Sequence, residues 1–191
     1  MDVITSYFEF YNDLEKQWIV FRDKGTKTMN QMVNDHLKQS FIDAYQWPAS
    51  IKDNHIIQNQ LRSKMFDSIS LQYQRLYSCY SELSSITDKL NQKVGQLELV
   101  VKERSSGSSS RSISTTLLAK YSEQFKLVIA MYTKSLDNKK SIIETLLSIY
   151  DRDQLVTLVS CWQNDIHIDR SFIETTQDMM YTEISLSSSS S

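Results

Sequence analysis

FDSISLQYQRLYSCYSELSSITDKLNQKVGQLELVV, residues 66–101, repeats apolar and aromatic side chains in alternating steps of three and four. Phe66, Ile69, Tyr73, Leu76, Tyr80, Leu83, Thr87, Leu90, Val94, Leu97 and Val101 form the stripe, with Thr87 its one polar member. Such spacing keeps one seam of a helix facing a neighbour and describes a left-handed coiled coil of about five heptads, roughly 50 Å long. Several seam positions hold rings where a tight two-stranded dimer would favour Leu or Ile. Rings fill the wider spaces of a three- or four-helix bundle.

The rest of the chain agrees with a helical reading. Its 191 residues contain three Gly and one Pro, too few for the repeated turns of a compact β fold. Apolar residues make up 40% and charged residues 23%, enough for a core and against wholesale disorder. The formal net charge is −2, with Lys and Arg scattered, so no basic face marks direct nucleic-acid binding. No apolar run approaches the ~20 residues a membrane helix needs. The opening MDVITSYFEFYNDLEK lacks the basic and apolar regions of a signal peptide. Cys79 and Cys161 are far apart and outside any CxxC, as expected of reduced thiols in a cytosolic or nuclear protein.

Working outward, Ile4, Tyr7, Tyr11, Leu14, Trp18 and Phe21 predict a first helix, which Met29, Met32, Val33 and Leu37 continue. Gly25 either caps and restarts it, with Thr26 or Thr28, or is a weak position in one continuous helix. Trp47-Pro48 ends this element, because proline cannot continue a helix and holds Trp47 extended. After the coiled-coil helix, ERSSGSSSRSISTT reads as a mobile loop, either an unmodified spacer or a phosphorylation site. A third helix follows with the seam Leu118, Tyr121, Phe125, Val128, Tyr132, Ser135, Lys139, Ile142, Leu146 and Ile149. Ser135 and Lys139 interrupt it, while Leu136 and Ile143 shift its apolar face, as a bend or change of partner would require. Asp151 or Asp153 caps a short helix of Leu155, Leu158, Val159 and Trp162, and Asp169 caps another holding Phe172, Ile173, Thr176, Met179 and Met180.

The expected class is all-α: an elongated antiparallel helical bundle or coiled coil with two short C-terminal helices. One domain spans 1–186, with long helices over 4–46, 56–103 and 114–150 and short ones over 153–163 and 169–186. Residues 104–113 are the loop and 187–191 a disordered tail.

Chemistry is sparse. Three glycines cannot build a phosphate loop or GxGxxG turn. His36, His55 and His167 are scattered, and Cys161 with His167 is the nearest approach to a metal or nucleophile pair. Cys161, between Val159 and Trp162, reads instead as a small buried hydrophobe. Asp165 and Asp169 suit capping and solvation better than paired catalysis, and Asp13, Glu15 and Asp23 read as a solvated face. No catalytic, cofactor or metal residue is expected. Trp18, Trp47 and Trp162 each lie beside polar residues, and Trp is favoured at interface hot spots. The candidate partner-binding residues are Trp18, Trp162, Asp165, Ile168 and Phe172, centred on the two short helices.

Two blocks carry a family resemblance. The first is LEKQWIVFRDKGTKTMNQMVN, with Trp18, Gly25, Thr26, Thr28 and Asn30. The second has Met131, Tyr132, Lys134, Leu136 and Lys140, then Asp151, Asp153, Leu155, Leu158 and Trp162. Together they resemble CINP, the cyclin-dependent-kinase-interacting protein family, over most of the chain outside 40–60 and 104–113. The resemblance implies a non-enzymatic adaptor, nuclear or cytoplasmic, in a hetero-oligomer with a hexameric AAA ATPase and a second small helical protein. It implies roles in large ribosomal subunit maturation, DNA replication and genome maintenance, and the cell cycle. The alternative is a structural coiled-coil subunit of a kinetochore, spindle or vesicle-tethering complex.

Overall fold

The computed structural model describes residues 2–44, 47, 50–106 and 113–189. They form five α-helices: α1 (Asp2–Ala44), α2 (His55–Ser106), α3 (Ile113–Thr145), α4 (Arg152–Asn164) and α5 (Arg170–Ser189). A single 3-10 turn, Leu146–Ser148, follows α3. The protein is an all-α helical bundle, with no strand among the described residues.

Gly25 does not break α1, which runs on through it. Pro48 and most of the Ser-rich loop lie outside the described residues, but Trp47 is half-buried with the Arg62 guanidinium 5.8 Å from its ring centre. Helix α2 extends into the expected loop as far as Ser106. Helix α5 likewise runs to Ser189, into the expected tail. Both short helices begin with an aspartate that receives a backbone amide otherwise left without a partner. Gln154 N–H donates to Asp151 Oδ1 at 2.8 Å, and Phe172 N–H to Asp169 Oδ1 at 3.0 Å.

The chain divides into two compact units, each built from segments of the three long helices and one short one. Unit 1 contains residues 1–19, 84–136 and 166–191. Its pairings set the helix directions. Glu15–Arg170, Asn12–Gln177 and Phe8–Tyr181 run α5 antiparallel to α1, while Phe8–Phe125 and Tyr11–Tyr132 run α3 parallel to it. The core holds Tyr7, Phe8, Tyr11, Leu14, Trp18, Leu90, Leu97, Tyr121, Phe125, Tyr132, Ile173 and Met180. Rings thus dominate the facing stripes of α1 and α3. Inside, the Tyr11 and Tyr132 hydroxyls share a 2.9 Å hydrogen bond, and Trp18 meets the Tyr132 ring edge-on at 4.8 Å. Burial, with the Glu15 charge adding to it, pushes both phenols well above their ordinary range. Glu15 is not simply solvated as expected: it receives Arg170 Nη1 at 2.6 Å.

Unit 2 contains residues 20–83 and 137–165. Met29, Met32, Val33, Leu76, Cys79, Leu83, Ile142, Ile143, Leu146, Leu155, Val159 and Trp162 form its core. His36 is buried, with Nε2 2.9 Å from the Ile149 carbonyl oxygen and its ring 5.0 Å from that of Tyr150. The third-helix stripe shifts at Leu136, where the sequence called for a bend or change of partner, and the divide between the units cuts α3 at that residue.

The long seam is buried from Ile69 to Leu97, with Tyr73 and Tyr80 half-covered. Phe66 departs from the expectation: it is 64% exposed. Heptad spacing identifies a face but cannot say where along a helix its neighbours stop.

Candidate functional site

The strongest concentration of chemistry in unit 2 lies where α4 ends. Leu155, Val159 and Trp162 occur at i, i+4 and i+7, so α4 lays one face on the core. Trp162 is fully enclosed, and one edge of its indole comes up to the backbone of α1 at Gly25. A Cβ on Gly25 would come within 2.5 Å of Trp162 Cζ2 and 2.8 Å of Cε2 and Nε1. Gly25 is therefore neither a helix end nor merely a weak position. It is the gap in α1 through which the indole reaches. The Trp162 N–H donates to the Arg22 carbonyl oxygen at 3.0 Å, an acceptor shared with the Thr26 hydroxyl at 2.9 Å.

Helix α4 ends just beyond, at Asp165, which adopts the left-handed conformation (φ 47°, ψ 53°). Aspartate tolerates this region better than most residues with a Cβ. Its carboxylate is buried, which would be costly without a counter-charge. Lys139, from the interrupted seam of α3, supplies one: Nζ lies 2.7 Å from Asp165 Oδ1 and also donates to the Trp162 carbonyl oxygen. The same ammonium sits 4.9 Å from the Trp162 ring centre, within cation–π range. Arg22 Nη1 approaches Asp165 Oδ2 at 3.4 Å, and its Nη2 holds Asp23 at 2.8 Å. Burial draws the Lys139 ammonium below its ordinary range, and Asp165 opposes that shift.

A lysine in such surroundings could in principle act as a nucleophile. Here it is enclosed and hydrogen-bonded on the inner side of α4, so its geometry serves to fix the helix end. Removing one member of a buried ion pair costs about 3–5 kcal/mol, because the other is left charged without compensation.

Of the five candidate partner-binding residues, Trp162 and Asp165 come together in this corner. Trp18, Ile168 and Phe172 belong to unit 1. Trp18, Trp162, Asp165 and Ile168 are buried within the chain itself, and Phe172 is half-buried. Cys161, expected to be buried, is half-exposed beside Trp162, while Cys79 is the buried thiol. Burial raises the Cys79 thiol above its ordinary range.

Sequence reading missed Lys139 and Arg22 as partners of Asp165. The available signal was a lysine at a seam position, which in a packed helix requires an acceptor. Among the described residues, no group of three His, Cys, Asp or Glu could hold a metal ion, and no helix is long and apolar enough to cross a membrane. No protein-family model matches the chain, and no curated protein matches it.

Proposed function

We propose that this protein is a non-enzymatic helical adaptor similar to the CINP family. It serves in a hetero-oligomer with a hexameric AAA ATPase and a second small helical protein. Its role lies in large ribosomal subunit maturation and in replication and genome maintenance. The observation that supports this reading is where the two resembling blocks meet. Gly25 comes from the first and Trp162 from the second, 137 positions later, yet the indole packs directly against the glycine. The shared features of the two blocks thus serve one packing corner.

The mechanism is binding: the bundle presents helix faces to partner helices, and the ATPase supplies the work. Purification of the tagged full-length chain from its own cells at moderate salt, with subunit stoichiometry by mass spectrometry, tests it. Near-stoichiometric recovery of an AAA ATPase with one small helical protein is the expected result. Recovery of similar-sized coiled-coil proteins without an ATPase would refute it in favour of a structural coiled-coil subunit.

A further inference from the structure

The exposed Phe66 marks the end of α2 at which the seam loses its neighbours. In unit 2 the last turns of α1 and the first of α2 run antiparallel, and an open cleft of about 580 Å³ lies between them. Ile42, Leu61 and Met65 form its apolar lining, with Lys38 on the α1 wall and Lys64 on the α2 wall. Ile57 lies one turn before Leu61 on the same helix face and is 45% exposed. The Ile57–Leu61–Met65 stripe therefore continues the cleft along about two helical turns.

Among the described lining residues two lysines stand against one carboxylate. Asp35, the one carboxylate among the described lining residues, already receives Ser68 Oγ at 2.9 Å, Gln72 Nε2 at 3.0 Å and Lys38 Nζ at 3.5 Å. Lys64 has no ion-pair partner among the described residues, and the Lys38 side chain is 68% exposed. The result is an apolar trough with an ammonium on each wall.

We propose that this cleft is a docking groove for an amphipathic helix of a protein partner, one whose apolar stripe is flanked on both sides by carboxylates. Apolar anchors at i, i+4 and i+7 would lie on Ile42, Leu61 and Met65, as in helix-in-groove recognition. Flanking carboxylates would answer Lys38 and Lys64 and set orientation more than affinity, as charges at an interface rim do. A second copy of this chain suits the groove less well, because it would bring the same cationic walls. The proposal rests on the adaptor reading only in needing a protein partner.

The test uses the full chain and two labelled helical peptides with an identical leucine stripe, one flanked by Glu and the other by Lys. Fluorescence anisotropy at low salt should favour the Glu-flanked peptide about three- to ten-fold, the size of two exposed ion pairs. The preference should shrink at high salt. Lys38→Glu with Lys64→Glu should invert it, and Leu61→Asp should abolish binding of both peptides. All three positions are exposed or partly so, and circular dichroism checks that the variants fold. Equal binding of the two peptides, or binding of neither, would overturn the proposal. So would self-association that Leu61→Asp removes, which would seat a second copy in the groove. These outcomes concern the groove alone, whereas the purification concerns the assembly, so either reading can fail without the other.

Discussion

Gly25→Ala offers a test in which two known effects have opposite signs. In an exposed helix interior this substitution stabilises by about 0.8–1 kcal/mol, because alanine loses less backbone freedom on folding. Here the new methyl carbon would meet the Trp162 indole at 2.5–2.8 Å. Carbon atoms pack comfortably at about 3.5–4.0 Å, so the ring must move by roughly 1 Å. The ring is held by its hydrogen bond to Arg22 and by Lys139 against it. Forced displacement in a packed core costs about 1–3 kcal/mol. The net expectation is a loss of up to about 2 kcal/mol. Trp162→Phe removes the indole edge that makes the clash. In that background Gly25→Ala should show the helix gain alone and stabilise by about 1 kcal/mol. Urea denaturation of the four proteins, followed by circular dichroism, gives the coupling directly. If Gly25→Ala stabilises equally with Trp162 and with Phe at that position, the indole does not occupy the gap and the account of the corner is wrong.

Three further outcomes follow from the buried polar groups. Lys139→Met should lower stability by about 3–5 kcal/mol in a denaturant melt, since it removes the buried ammonium 2.7 Å from the Asp165 carboxylate; a change below 1 kcal/mol would show that the pair is not buried in solution. Tyr11→Phe and Tyr132→Phe should each cost about 1–3 kcal/mol by stranding the other hydroxyl, while the double variant should cost less than their sum; strict additivity in a double-mutant cycle would count against the shared hydrogen bond. The Asp169 carboxyl is held below its ordinary range by the Phe172 amide first and then by the Ser171 hydroxyl. Its charged form therefore contributes stability above the unfolded pKa of about 3.9, and that contribution is lost as pH falls through the lower folded value. Asp169→Asn should keep the cap at neutral pH but lose less stability on acidification. Identical acid-unfolding profiles would remove Asp169 from that account.

Periodicity carried the fold because most of the chain is helix with one face to bury. Seam positions such as Ile69, Leu83, Leu97, Phe125 and Tyr132 are legible from a 3-4 spacing, and Asp151 and Asp169 from their place before an apolar stripe. The corner was less legible because its contacts join residues far apart in sequence. Nothing near Gly25 indicates that a tryptophan 137 positions away presses on it, and nothing near Asp165 names Lys139. Exposure at Phe66 was hidden for a related reason, since a heptad pattern continues whether or not a neighbour is present. Burial also separates two uses of tryptophan that look alike in sequence: Trp18 and Trp162 hold the chain's own interior together.

The interruption at Lys139 follows from the turn that ends α4. The residue that ends α4 is left-handed, and Asp165 stands there in place of glycine. Because the turn is buried, its carboxylate needs a cation within the core. A seam position on α3 lies at the right height, so a lysine stands where leucine would otherwise pack. Its aliphatic stem can still fill the seam while its ammonium reaches Asp165 and the Trp162 carbonyl. Arg22, one turn before Gly25 on α1, reaches the second carboxylate oxygen, and its own carbonyl receives the indole. Each polar group thereby constrains the angle and depth of α4 more narrowly than apolar contact would. An adaptor that presents helix faces to partners has use for a short helix fixed in that way. The groove between Leu61 and Ile42 is fastened at one end, where Ser68 and Gln72 donate to Asp35, and it is on its apolar side that we place the partner.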